Sequence, residues 1–242
     1  MVKRPQIPVT ILTVFVYFLP LDAQADLKML ILNETYHVSG YVQRGDYEDP
    51  MTGIVSPGGS YAYDDTTYSP GAAGAVSISA PGYGSFASWG AATRYQSEGD
   101  MLFHTEAWTT RIGPGGPALP YSYGYWADAS LEVEFMFTGS SDELSVSYND
   151  PYMGYSAGSA TLSGGGDTWS LYPDFAWWNA PDPIPIQTGQ TYTLSMSLCP
   201  MIEGGGQRTV VFSDVELVPL PGAALLGALG LSIAGCCLRR KS

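Results

Sequence analysis

A two-residue period recurs wherever this chain is apolar, and no other feature constrains its fold as strongly. In Leu131-Glu132-Val133-Glu134-Phe135-Met136-Phe137, the side chains of Leu131, Val133, Phe135 and Phe137 share one face, while both glutamates take the other. That is the period of an extended strand with one buried side, because successive Cβ atoms point to opposite faces. Thr191 to Leu198 repeats it, with Tyr192, Leu194, Met196 and Leu198 set against threonine and serine. Arg208 to Leu217 is rich in β-branched residues and follows Glu203 to Gly206, which reads as a turn. Weaker strand candidates are Leu27 to Leu32, Thr35 to Gln43, Gly74 to Ser79, Asp100 to Thr109, Glu143 to Tyr148 and Asp167 to Leu171. Glycine, proline and serine separate these runs, and none carries a helical period. Short strands without intervening helices predict an all-β fold, an antiparallel β-sandwich or barrel. Gly45 to Gly59 and Pro173 to Gly189 are too rich in proline and glycine for a sheet interior and read as long surface loops.

The two ends differ from this pattern. Lys3 and Arg4 precede an apolar run from about Ile7 to Leu21, and small residues follow at Ala23 and Ala25. That order is a secretory signal peptide over 1–25, with cleavage expected before Asp26. An uncleaved anchor is disfavoured by Pro8, Pro20 and a run shorter than the roughly 20 residues a span needs. At the other end, Val218 to Pro221 (VPLP) leads into an apolar run from Gly222 to Leu238 and then Arg239, Arg240 and Lys241. The run is short for a membrane helix but can insert with its arginines snorkelling, and the basic cluster would stay in the cytoplasm. A core helix would not be all-apolar, dotted with glycine and closed by three bases. One domain, residues 26–217, lies between, with no repeat or compositional break to divide it.

Subtracting the ends sharpens the electrostatics. Of 10 Lys and Arg against 23 Asp and Glu, five bases (Lys3, Arg4, Arg239, Arg240, Lys241) and one acid (Asp22) lie in the terminal segments. The middle thus carries 5 bases against 22 acids, a formal charge of −17. Such a field repels phosphates, so nucleic acid is excluded as a partner. Only Cys199 lies in the middle, so an intradomain disulfide is excluded and stability must come from a core, for which roughly 190 residues suffice.

Residues suited to catalysis are sparse. His37 and His104 are the only histidines, and no G-x-S-x-G stretch holds a nucleophile. His104 stands two residues from Glu106, a spacing that allows a pair on one strand face but more simply reads as a surface histidine beside an acid. Two histidines and one cysteine do not make a zinc ligand set. Paired carboxylates would suit glycoside hydrolysis, but any acidic β-protein offers such pairs. The acids Asp46, Glu48 and Asp49, Asp64 and Asp65, and Asp214 and Glu216 read as solvated charge. A structural calcium ion, with Asp214 its foremost ligand, is the competing reading, and no cofactor is otherwise expected. Aromatic residues cluster in Tyr121 to Trp126 and Phe175 to Trp178, in or beside turns. Exposed rings of Trp126, Trp177 and Trp178 would stack on sugar faces, unless they close the ends of the sandwich over the core. Arg44-Gly45-Asp46 matches an adhesion tripeptide too short to carry weight.

The tail resembles the PEP-CTERM class of bacterial sorting signals, through Val218, Pro219 and Pro221, the apolar run to Leu238, and the basic end. Leu220 stands between the prolines where the commonest form has glutamate, as in VPLP variants of the class. The resemblance implies export, temporary retention in the membrane by the C-terminal helix, and processing near Pro219 to Pro221 by an exosortase-type sorting protease. It further implies delivery to the cell surface or to a matrix rich in exopolysaccharide, and assigns no catalysis to this chain. Val210 to Leu217 (VVFSDVEL) is similar to the closing strand of jelly-roll carbohydrate-binding modules, in some of which the strand aspartate lies near a structural calcium. That similarity implies a jelly-roll-like sandwich and is the reason to favour Asp214. The function expected is a non-enzymatic surface or matrix protein, with carbohydrate binding as the alternative and a hydrolase third.

Overall fold

A computed structural model describes residues 27–48, 53, 55–80, 84–112, 123–149, 156–171, 182–200 and 204–218. In chain order the strands are β1 (Leu27–Arg44), β2 (Tyr47–Glu48), β3 (Val55–Ser56), β4 (Gly59–Thr67), β5 (Gly71–Ala80), β6 (Gly84–Ser97), β7 (Asp100–Ile112) and β8 (Tyr123–Gly139). They continue as β9 (Glu143–Leu144), β10 (Val146–Asn149), β11 (Ser156–Gly164), β12 (Asp167–Ser170), β13 (Ile184–Pro185), β14 (Thr191–Pro200), β15 (Gly204–Phe212) and β16 (Val215–Leu217). A seven-stranded sheet runs β12-β11-β14-β8-β1-β16, with β4 also on β1, and a five-stranded sheet runs β10-β15-β7-β6-β5. Every pairing is antiparallel except β1 with β16. The two sheets face each other across one main core, the expected sandwich.

The alternation read in the sequence is what builds that core. Leu131, Val133, Phe135 and Phe137 of β8 are buried, as are Tyr192, Leu194, Met196 and Leu198 of β14. From the opposite sheet come Met101, Phe103, Val210 and Phe212, and Phe212 meets Phe103, Phe135 and Phe137 at centroid distances of 5.2, 5.9 and 6.3 Å. Rings at these separations add directional contacts to the area they bury.

β1 joins the two runs Leu27 to Leu32 and Thr35 to Gln43 into one strand paired along its whole length with β8. The register shifts between Ile31 and Asn33, leaving Leu32 as an extra, exposed residue. Leu27 and Met29 point inward before the bulge, and Tyr36, Val38 and Val42 after it. One inserted residue thus changes which residues face the core, and the apolar side chains stay buried on both sides of it. Beyond β8, the other edge of β1 is shared: β16 covers Leu27 to Met29 and β4 covers Tyr36 to Arg44.

Several expectations are corrected. Gly204 to Gly206 form strand, not turn: they pair with Thr109, Trp108 and Ala107, and a Cβ on Gly205 would run into the backbone of Ala107. Gly45 to Gly59 holds the short β2 and β3, and Pro173 to Gly189 contains β13, although much of both stretches lies outside the described residues. Asp64 and Asp65 sit in β4, not a loop, opposite Ser39 and Val38. Strands β4, β6 and β11 were not anticipated. Their alanine, serine and glycine content gives little apolar contrast, and pairing with neighbours on both sides holds β6 and β11 in place. Arg208 is buried on the inward face with Val210 and Phe212 and donates from Nη1 to the Ser197 carbonyl at 3.1 Å.

Candidate functional site: an aromatic and hydroxyl-bearing sheet face

The outward face of the seven-stranded sheet is built by the same alternation, read on its other side. In His37-Val38-Ser39-Gly40-Tyr41-Val42, His37, Ser39 and Tyr41 point outward while Val38, Gly40 and Val42 take the inward face. Register then sets them in transverse rows. Thr66, His37, Ser130, Ser197 and Ser159 lie across β4, β1, β8, β14 and β11. Asp64, Ser39 and Asp128 form the adjacent row, and Ala62, Tyr41 and Trp126 the next. Tyr41 and Trp126 are 38% and 37% exposed and stack with centroids 6.4 Å apart and planes at 29°. Trp126 therefore belongs to a strand and not to a turn, and its neighbours give it a fixed orientation.

Hydrogen bonds order the polar rows. His37 Nδ1 lies 2.9 Å from Thr66 Oγ1 and 3.6 Å from Asp64 Oδ1, while the Ser159 and Ser197 hydroxyls are 3.1 Å apart. Burial pushes the Asp128 carboxyl above its ordinary range, an effect opposed by nearby His37 and by the Ala129 backbone. Burial also raises Cys199, so its thiol stays protonated at neutral pH and is a poor nucleophile. Two aromatic planes beside a rigid field of hydroxyls and the carboxyl groups of Asp64 and Asp128 provide stacking and hydrogen bonding for a flat polyhydroxylated ligand.

The remaining expected residues are dispersed. Trp177, Trp178, Ala23, Ala25, Pro219, Leu220, Pro221, Arg239, Arg240 and Lys241 lie outside the described residues, as do the segments 1–25 and 222–238 expected as a signal peptide and a membrane helix. Val218 is the last residue described, and its N–H donates to the Met29 carbonyl at 2.9 Å. Asp214 is not on the final strand: it occupies an exposed turn at φ 57°, and its N–H donates to Asp100 Oδ1 at 3.0 Å. Among the described residues, no three of His, Cys, Asp and Glu are grouped to hold a metal ion, and no helix is long and apolar enough to cross a membrane. His104 lies 3.8 Å from Glu106 and bonds Thr209 Oγ1 at 2.9 Å. Arg44 of the RGD tripeptide is buried and donates to the Pro57 carbonyl at 2.6 Å, while Asp46 accepts from the Gly58 N–H at 2.7 Å. Tyr41 and Ser39 escaped notice in the sequence, where only their place between buried residues marks them. Compared with known proteins, the chain matches no family model and no curated sequence.

Proposed function

We propose that this chain is an exported, non-enzymatic surface or matrix protein of structural or adhesive type, carried to its destination by a cleavable C-terminal anchor. The observation that carries the reading is where the last described strand stops: β16 ends at Leu217, and the Val-Pro-Leu-Pro motif begins at the next residue. A folded acidic domain thus leads without a spacer into a sorting signal. On this reading, 1–25 is the signal peptide, 26–217 the exported domain and 218–242 the sorting segment. An exosortase-type protease is the processing partner, and the membrane is the site of the precursor. Mass spectrometry of the surface-exposed product tests it: loss of everything beyond the Val218 to Pro221 region is expected, and an intact Ser242 would refute it.

The strand order supports a jelly-roll-like assignment for the sandwich. β7-β15-β10 in one sheet and β8-β14-β11-β12 in the other, with β9 joined to β13, follow the paired winding of an eight-stranded double-sheet roll.

The stacked Tyr41 and Trp126 favour a second reading, in which the outward face binds exopolysaccharide. Glycan-array binding by the exported protein would fall about five- to tenfold in Trp126→Ala and Tyr41→Ala, in line with one lost stacking contact. Binding of no polysaccharide, or equal binding by both variants, would eliminate this reading.

A further inference from the structure

β5 is the longest described strand that is paired on one side only: it bonds β6, and among the described residues no strand pairs with its other edge. Its ten residues include no proline and no charge, and its register with β6 runs without a bulge. We propose that this edge is an interface between two copies of the chain, in which β5 pairs antiparallel with its own counterpart about a two-fold axis at Ala75 and joins two five-stranded sheets into one.

Three observations make a second copy the occupant. The first is charge. The domain is strongly acidic, so two copies repel wherever their acids meet. From Thr66 to Thr93 there is no charged residue and no histidine, and that run contains all of β5. The other one-sided strands of the two main sheets differ: β4 carries Asp64 and Asp65, β12 carries Asp167, β16 carries Glu216, and β10 spans only Val146–Asn149. A neutral edge is therefore where a like-charged copy can approach. The second is the lack of any block. Sheet edges that face water are commonly guarded by charges, prolines or bulges, and β5 has none of these. Its outward residues Ala73, Ala75 and Ser77 are exposed and small, so they leave the backbone accessible. The third is the order of sizes along the strand. Gly71 to Gly74 is small, whereas Val76 and Ile78 are branched. A two-fold axis at Ala75 sets Ala73 opposite Ser77, Gly74 opposite Val76 and Ala72 opposite Ile78. Each branched side chain thus meets a small one, as a self-complementary interface requires.

Asp64 and Asp65 oppose the pairing. They lie on β4, which packs over β5 where the Tyr63 ring meets Gly74, so each copy brings two carboxylates near the interface. Salt screens this repulsion and tightens the dimer. The inference stands whether or not the chain is exported.

Sedimentation equilibrium of the full chain in detergent tests the interface. A dimer is expected, with a dissociation constant that falls at least about threefold as sodium chloride rises from about 0.05 to about 0.5 M. Ala75→Glu sets two carboxylates opposite each other on the axis and should weaken the dimer at least about tenfold. Ser147→Glu adds the same charge at an exposed position on β10, the far edge of the same sheet, and should change the constant less than about threefold. Ala75→Cys, with Cys199, Cys236 and Cys237 replaced by serine, should link two copies by a disulfide under mild oxidation, because facing Cβ atoms lie about 5 Å apart. Ala73→Cys in the same background should not, since residue 73 faces Ser77. A chain that stays monomeric at millimolar concentration overturns the proposal. So does a dimer that survives Ala75→Glu, because the tail or another face would then hold the copies together. Weakening by salt, or linking at residue 73 in place of 75, overturns it as well.

Discussion

Arg94 donates from both Nε and Nη2 to a single oxygen of Glu34, at 2.9 and 2.8 Å, and so ties the five-stranded sheet to the first strand just beyond its bulge. Tyr36 adds a third donor to the same oxygen at 3.0 Å, and burial together with the Glu34 charge raises the Tyr36 hydroxyl well above the usual tyrosine range. The two charged side chains are only 10% and 13% exposed. Arg94→Ala leaves the Glu34 carboxylate without its cation and should cost about 3 kcal/mol. Urea denaturation of the protein measures this, and a loss below about 1 kcal/mol would show that water replaces the guanidinium.

At Gly40, backbone, a hydroxyl and the Tyr63 ring approach closely. A Cβ there would lie 2.6 Å from Ser88 Oγ and from the Trp126 carbonyl, and 2.8 Å from the Tyr63 ring. Since Ser88 Oγ donates to that same carbonyl, little can give way. Gly40→Ala should therefore destabilise the fold by about 2 to 3 kcal/mol, read as a lowered thermal midpoint.

Asp128 makes stability depend on pH. Its folded-state pKa lies above the ordinary 3.8, so the folded state holds the proton more tightly than the unfolded chain. Burying the carboxylate consequently costs stability at neutral pH. That cost falls as pH drops through the raised value and vanishes below 3.8, where both states are protonated. Asp128→Asn should raise the melting temperature at pH 7, with the gain closing on acidification. A gain that stays constant down to pH 3 would contradict this origin.

Asp214 adopts a left-handed backbone that few side chains tolerate, aspartate being one. Asp214→Gly should leave stability within about 0.5 kcal/mol or raise it, whereas Asp214→Val should cost about 1 to 2 kcal/mol. Equal effects of the two substitutions on the denaturation midpoint would mean that the side chain, and not the backbone, governs this turn.

The sandwich was legible because its central strands carry strong contrast: Leu131 to Phe137 and Thr191 to Leu198 each bury one full face. β6 was not, since Ala87, Ala91 and Ala92 differ little from the serines and glycines around them, and only its neighbours define it. The break between Leu32 and Thr35 looked like a boundary between strands because a bulge reverses the alternation without ending the pairing. Of the candidate site, Trp126 was visible as an aromatic residue, but its partner Tyr41 lies 85 positions away and is brought to it by the register of β1 with β8. Periodicity predicts which residues share a face; it does not predict which strands meet.

The single parallel pairing, between the first strand and the last, determines how the domain bears load. Leu27 to Met29 and Val215 to Leu217 run in the same direction, and Val218 still bonds Met29 at the end of that run. When the outer face is held and the C-terminal end is pulled along the strand, the β1–β16 bonds are strained in shear together, not opened one after another. Tension along the strand at this end therefore meets several bonds at once, and release requires a sideways peel.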